Sequence, residues 1–328
     1  MQRNHYYDFL RGVAIMMVVA IHTFCISETN MQDNTLDVNT LVRQIFNCAV
    51  PIFLSISGYF LCTKDLNTWS DKKKFWYRQV PKVYVPTMIA SLPYIALALK
   101  RGNNPISAVM MMSVCGFSIY YFIALIIQYY ALLPVFKKTD MGGVILCSSI
   151  SLTAIFAVSC LTNVAGYKLP LIAYAGPFPV WCVFFAMGCY LRKCERNYSL
   201  LLPVMAVIVG LAMEYVETYY WNKNYEGGFG IKCSSFIYSI AVITFLFSCK
   251  IEKSYKRNTF TRIIEYIGSI SFAIYLYHLY TNEILSLLHI TTSLPWILRW
   301  AICLVATILT IELFKRIFPK KFHWLFGA

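Results

Sequence analysis

Three ionisable side chains interrupt the apolar segment "YYDFLRGVAIMMVVAIHTFCI" near the start of the chain: Asp8, Arg11 and His22. Arg11 and His22 are eleven residues apart, close to three helical turns. A helix would therefore point both from one face, about 16 Å apart along its axis. Asp8 precedes Arg11 by three residues, a spacing that permits an ion pair. Ionisable groups in an apolar span are costly, and they normally face a bundle interior and mark a site or a pathway.

The chemistry available to this helix is proton transfer at one end and anion binding at the other. His22 is the strongest candidate for a general base, because a free imidazole titrates near neutrality. Arg11 supplies a positive charge that suits phosphate. The spacing favours a reaction in which two substrates meet inside the membrane. The alternative is structural, with an Asp8–Arg11 pair at the interface and a histidine hydrogen-bonded in the core.

The composition predicts that most of the chain is embedded in a bilayer. It is 59% hydrophobic and 13% charged, with a mean hydropathy of +0.58, whereas soluble domains contain about 25% charged residues. A membrane-spanning helix needs about 20 mostly apolar residues. We therefore expect an all-α integral membrane protein, a bundle of about ten transmembrane helices in a single domain over residues 1–328. The ten windows are 8–27, 41–62, 83–100, 117–136, 141–160, 170–191, 199–220, 233–249, 264–288 and 294–314.

The positive charges predict the orientation of these spans. The chain carries a formal net charge of +14 and 29 Lys and Arg residues. If the N-terminus is cytoplasmic, 21 of them lie in inward segments and seven in outward segments. This bias follows the positive-inside rule, so both termini are expected in the cytoplasm. The net positive charge then reflects the membrane topology, and no nucleic-acid partner is expected.

Four further polar residues lie within the predicted spans. Glu214 and Glu283 are expected in the outer halves of their helices. Either can hold acceptor hydroxyls or orient His22, and either can equally pair with a basic neighbour. Tyr275 and His278 share one helical face. His278 fits a packing or hydrogen-bonding role better than a catalytic one.

Three loops stand out between the spans. The inward segment 63–82, "TKDLNTWSDKKKFWYRQVPK", mixes basic and aromatic residues. It predicts a short helix at the membrane interface, serving as an anchor or as a binding surface for a phosphorylated ligand. The outward loops 28–40 and 221–231 are polar and can gate or line an outward cavity. The twelve cysteines form no metal-binding spacing, so no metal is expected.

Four segments in order along the chain resemble motifs of the acyltransferase type 3 family, integral membrane enzymes that acylate sugars and other hydroxyl acceptors. The first span resembles the family's opening Asp-x-x-Arg-Gly-(Ile/Val)-Ala block with its later histidine. The other three are "VPIFLSISGYFL" (50–61), "YYFIALIIQYYALLP" (120–134, with Tyr121 in place of a tryptophan) and "IGSISFAIYLYH" (267–278). The set covers nearly the whole chain.

One motif departs from the family pattern. The family usually has Arg-x-x-Arg before its third helix, and here the segment is "YRQVPKVYVP". Lys82 takes the position of the second arginine and Gln79 that of the first, with Arg78 beside it. Positive charge is retained, but the bidentate geometry of guanidinium is partly lost.

The resemblance implies transfer of an acyl group, usually acetyl, from cytoplasmic acyl-coenzyme A to a hydroxyl on the far side of the membrane. Acetyl-CoA would be the donor substrate, and a glycan or lipid-linked sugar the acceptor. His22 would deprotonate this hydroxyl, with Glu214 as a second catalytic residue, or His22 would itself be acylated first. The donor phosphates would be bound by Arg11, Arg78, Lys82 and Lys74. Substrate contacts are expected from Asp8, Glu283, Tyr121, Tyr275 and His278.

Two other classes of protein remain open. A transporter or flippase of lipid-linked sugars would also have ten helices and buried ions, but the sequence shows no clear inverted repeat and no paired helix breaks. A membrane binding or assembly protein would carry the same charges for structural reasons. Binding of coenzyme A separates the enzyme from both.

Overall fold

A computed structural model describes residues 4–24, 37–225, 228–319, 322, 326 and 327. Helices dominate this part of the chain, and it contains no strand. The α-helices are α1 (His5–Thr23), α2 (Val38–Ile45), α3 (Ala49–Leu61), α4 (Trp69–Lys100), α5 (Pro105–Ser113), α6 (Tyr121–Phe136), α7 (Met141–Ser159), α8 (Leu171–Ala175), α9 (Phe178–Lys193), α10 (Leu201–Tyr225), α11 (Cys233–Leu246), α12 (Cys249–Ser254), α13 (Thr259–Ser269), α14 (Ser271–Leu287) and α15 (Trp296–Ile317). The all-helical class predicted from the sequence is confirmed.

Several helices are long and apolar enough to cross a bilayer, as a multi-pass membrane protein requires. Six of the described helical segments meet both criteria: Val38–Leu61, Trp69–Lys100, Ser118–Phe136, Met141–Val164, Leu201–Asn224 and Trp296–Ile317. Helices α9, α11 and α14 have 16, 14 and 17 residues. Helix α1 has 19 residues, but its charged side chains lower its hydropathy. The count of ten spans and the cytoplasmic termini therefore stay predictions.

The basic segment before the third predicted span differs from the expectation. The prediction of a separate interfacial helix within 63–82 is wrong, because α4 begins at Trp69 and runs unbroken for 32 residues. Its start is fixed by a capping box, in which the Thr68 hydroxyl accepts from the Asp71 backbone N–H and the Asp71 carboxylate accepts from the Thr68 N–H, each at 3.1 Å. Pro81 lies inside the helix and does not end it. The basic residues before and after this proline thus share one continuous helix.

Helix α1 carries Arg11 and His22, and it packs most extensively on α13. A methyl group added to Gly12 would overlap the Ile264 carbonyl, and one added to Gly268 would overlap the Asp8 carbonyl. These glycines therefore allow the two backbones to touch, as small residues do between membrane helices. Helices α3, α14 and α15 also contact α1. The position of the chemistry-bearing helix is set by this packing.

The contact between α3 and α9 is built in the same way. A methyl group on Gly58 would overlap the Phe185 carbonyl, and one on Gly188 would overlap the Ser55 carbonyl. The Ser55 hydroxyl donates to the Phe184 carbonyl at 2.9 Å. Two close helix pairs thus frame the region between α1 and α3.

The α1–α13 packing predicts a specific instability. Replacing Gly268→Ala places a methyl group against backbone, which cannot move away as a side chain does. We expect the free energy of unfolding to fall by about 1–3 kcal/mol. Denaturation in mixed micelles of a mild detergent and SDS measures it. Gly142→Ala is the matched control, since its methyl group would meet its nearest neighbour at an ordinary 3.5 Å. Equal stability of the two variants would contradict the close packing.

Candidate active site

A cavity of about 230 Å³ lies between α1, α3, α4, α6 and α14, and we call it the inner cavity. Arg11 and His22 both line it, so the two residues face one space, as their spacing predicted. Most of the remaining wall is apolar or aromatic, including Phe53, Phe122 and Tyr275. Such a wall suits an uncharged portion of a ligand, with the two ionisable groups as its polar contacts.

A second cavity of about 200 Å³, the outer cavity, adjoins the first. His22 and Tyr121 line both cavities. The outer cavity also has Arg43 and Asn47 in its wall, together with the aromatic ring of Trp181. A ligand in either cavity can therefore approach the imidazole of His22.

A third space of about 390 Å³, the basic cleft, lies along the N-terminal half of α4. Lys74, Arg78 and Lys82 line it at intervals of four residues, which places them on one face of the continuous helix. All three are exposed. The remaining lining residues are Lys64, Asp65, Asp71, Phe75 and Gln79.

The basic cleft borders the inner cavity. The ring of Phe75 in the cleft packs edge-on against the ring of Tyr130, at 5.5 Å between centroids, and Tyr130 lines the inner cavity. Lys82 in the cleft is followed directly by Val83 in the cavity wall. The two spaces therefore lie next to each other, with these residues between them.

Arg11 is held in place by neighbours on two sides. Its Nη1 donates to Asp8 Oδ1 at 2.9 Å, the i, i+3 pair that the sequence permits. Its guanidinium lies 5.4 Å from the centre of the Phe60 ring, within cation–π range. The Asp8 side chain is 9% exposed and that of Arg11 33%. Asp8, a predicted substrate contact, lines neither cavity and instead orients Arg11.

His278 lies beside His22, with 5.4 Å between ring centroids. Its Nδ1 is 2.9 Å from the Ile274 carbonyl and 3.0 Å from the Tyr275 carbonyl. Carbonyl oxygens only accept hydrogen bonds, so Nδ1 carries the proton and Nε2 offers a lone pair. This Nε2 is buried and has no partner among the described residues. The residue predicted as a substrate contact is thus placed against the candidate base.

Glu214 forms a buried ion pair. Its Oε1 accepts from Lys232 Nζ at 3.1 Å, with 0% exposure of the glutamate side chain and 1% of the lysine. Asn47 also donates to this oxygen, and Lys232 donates to Gln44 Oε1 at 2.6 Å. Glu214 lines neither cavity. Of the two alternatives for this residue, its contacts match pairing with a basic neighbour and do not place it at His22.

The remaining predicted substrate contacts separate into two groups. Tyr121 is buried and lines both cavities. Tyr275 lines the inner cavity, and its hydroxyl donates to the Ile119 carbonyl. Glu283 on α14 is exposed and lines neither cavity. The structure thus gathers the two tyrosines at the cavities and leaves Glu283 outside.

The sequence analysis did not identify Arg43, Asn47 or Lys232 as site residues, and it counted the two cations only among the seven of the outward segments. Arg43 and Asn47 are four residues apart, a spacing that could have indicated a shared helical face. Gly230 and Ile231 line the outer cavity, as expected for the loop 221–231. Most of the other loop, residues 28–36, lies outside the described residues, as do 226 and 227.

Comparison with known families agrees with this architecture. Residues 4–314 match the family model of the acyltransferase domain whose motifs the chain resembles. No curated protein and no solved structure matches the chain significantly. The family match nevertheless spans all four motifs, α1 with Arg11 and His22, and the walls of the three spaces described above. The chain therefore belongs to the acyltransferase type 3 family and is a membrane acyltransferase.

Proposed function

We propose that this acyltransferase moves an acyl group, acetyl by family default, from cytoplasmic acyl-CoA to a hydroxyl of an extracytoplasmic or lipid-linked glycan. The observation that carries the proposal is the position of His22, which lines both the inner and the outer cavity. One base can then serve a donor on one side and an acceptor on the other. A bacterial cytoplasmic membrane is the proposed location.

The donor would bind from the basic cleft. Coenzyme A carries several phosphates, and Lys74, Arg78 and Lys82 present three cations on one face of α4. Arg11 adds a fourth cation on the same predicted side of the membrane. The apolar inner cavity between the cleft and His22 suits the uncharged arm that ends in the thioester.

The acceptor hydroxyl would enter the outer cavity. His22 removes its proton as the oxygen attacks the thioester carbonyl carbon, and a C–O bond forms. The resulting tetrahedral species collapses, the C–S bond breaks, and the thiolate of coenzyme A takes the proton back from the imidazolium. In the alternative route the imidazole attacks first and carries the acyl group to the acceptor. Both routes need His22 between the two cavities.

We further propose that His278 positions His22. The lone pair on His278 Nε2 can accept a hydrogen bond from a ring N–H of His22. This bond would fix the His22 tautomer, so that its other nitrogen presents a lone pair to the acceptor. A neutral hydrogen bond of this kind contributes about 0.5–1.5 kcal/mol, which a substitution of His278 would remove.

The first test is turnover of acetyl-CoA by the purified protein and its His22→Ala variant. We expect wild type to bind and hydrolyse the thioester slowly, and His22→Ala to bind it normally with turnover about 10²–10⁴ times lower. His289→Asn is the matched control, because His289 is exposed and lines neither cavity. Absence of acetyl-CoA binding by wild type would overturn the donor assignment and favour a transporter.

The basic cleft gives a second test, on affinity and not on turnover. Lys82→Ala should raise the dissociation constant for acetyl-CoA about tenfold, since a charge-assisted hydrogen bond contributes about 1.5–3 kcal/mol. Arg11→Ala should also bind donor poorly. Equilibrium binding with radiolabelled acetyl-CoA measures both. Lys100→Ala is the control, an exposed lysine at the other end of the same helix. Equal affinities of Lys82→Ala and Lys100→Ala would contradict a donor site in the cleft.

Substitution of His278 tests the positioning role. His278→Leu should lower turnover about two- to tenfold, with donor affinity unchanged, because it removes a hydrogen-bond acceptor from His22. His278→Gln keeps an acceptor atom and should restore part of the rate. The pH profile of turnover is the diagnostic readout, since it should move in His278→Leu. A profile that keeps its shape and position would show that His278 only fills space.

A further inference from the structure

We infer that the outer cavity binds an anionic group on the acceptor, a carboxylate or a phosphate, through Arg43. The acceptor part of this inference rests on the proposed function. The anion site itself rests on the charges and contacts around Arg43, and these hold whether or not the chain transfers acyl groups.

Arg43 is a buried cation with few partners. It lies in the last turn of α2 and is 7% exposed. Its Nη1 donates to Asn47 Oδ1 at 2.7 Å, and this uses one of the five N–H groups of a guanidinium. No carboxylate in the described part of the chain lies within 4.0 Å of it. Burial of such a charge is costly unless another group neutralises it.

Two carboxylates on α10 have partners of their own. Glu214 pairs with Lys232 at 3.1 Å and reaches Arg43 only through the side chain of Asn47. Glu217, one turn away, accepts from Trp221 and from the Ser234 backbone. Neither carboxylate forms an ion pair with Arg43. An anion in the adjoining cavity would pair with the guanidinium directly.

The unused donors of Arg43 open onto that cavity. Four side-chain atoms in the described residues are fully buried without a partner, and none belongs to Arg43. Its remaining nitrogens are thus accessible, and Arg43 is part of the outer cavity wall, which also contains His22. A planar guanidinium with free N–H groups binds carboxylate and phosphate in a bidentate manner.

Apart from His22 and the tyrosine hydroxyls, the other polar side chains in the wall are already engaged. Ser235 donates to the Lys232 carbonyl at 2.7 Å and Ser239 to the Ser235 carbonyl at 2.6 Å. Asn47 uses its oxygen for Arg43 and its nitrogen for Glu214. Arg43 is therefore the charged group with donors left for a ligand in this cavity. With Trp181 as an apolar surface, the wall fits a sugar that bears an acidic group.

The test compares three glycosides that differ at one position: methyl glucoside, its 6-carboxylate methyl glucuronide, and its 6-phosphate. Their equilibrium binding is measured by dialysis with the full-length protein in detergent. Wild type should bind at least one anionic glycoside about tenfold more tightly than the neutral one, and the preferred anion identifies the acid. Arg43→Gln should bind all three equally, and Arg43→Lys should keep part of the preference. Arg101→Gln, an exposed arginine outside the cavity, should behave as wild type.

Acetyl-CoA binding is measured on the same samples. A variant that binds donor normally is folded, so its loss of preference reports on Arg43. If Arg43→Gln fails to fold, the inference is still tested by two results: the preference of wild type for an anionic glycoside, and its partial retention in Arg43→Lys. Wild type that does not discriminate between the glycosides, or Arg43→Gln that still does, overturns the inference. The inference is also overturned if Arg43→Gln leaves glycoside binding unchanged but slows thioester hydrolysis. Arg43 would then stabilise the negative charge that develops during the reaction, and it would not bind the acceptor. If wild type does not bind acetyl-CoA, the proposed acyl transfer from this donor is overturned, but the anion site at Arg43 is not.

Discussion

Ionisable groups within an apolar protein need either a partner or access to water, and this constraint arranges the candidate site. Asp8 is satisfied by Arg11, and Glu214 by Lys232. No carboxylate in the described part of the chain pairs with His22, and His22 lies where two cavities adjoin. Because unpaired polar groups in lipid are so unfavourable, the position of His22 at the cavities fits this constraint.

Close helix packing converts this local constraint into a fixed geometry. The overlap that a methyl group would meet at Gly12 and Gly268 means that α1 and α13 touch along their backbones. Helix α14 carries His278 and follows α13 after one residue. The contact that holds α1 therefore also sets the distance between His22 and His278. A shift of α13 would move the base and its neighbour relative to each other.

Features that depend on helical period could be predicted from the sequence, and features that depend on helix pairing could not. The common face of Arg11 and His22 follows from eleven residues at 3.6 per turn. The Glu214–Lys232 pair, with Asn47 between Glu214 and Arg43, joins α10 to the segments around α2 and α11, and no sequence period connects those segments. The separate interfacial helix expected within 63–82 was wrong because α4 continues through Pro81, and a proline inside a membrane helix can be tolerated when neighbours satisfy the freed carbonyl. That error hid the shared face of Lys74, Arg78 and Lys82.

If the proposed function is correct, the arrangement also bears on how an acyl group can cross the membrane without a moving carrier. The basic cleft adjoins the inner cavity, the inner cavity adjoins the outer one, and His22 is common to the last two. A donor anchored by its phosphates would present its thioester deep in the protein, and only the acyl group would need to pass His22. Under these proposals the charged part of the donor would stay on the side of its cations, and an acidic acceptor would stay on the side of Arg43. Separate cationic anchors for the two proposed substrates would keep apart two anions that otherwise repel in a medium of low dielectric constant.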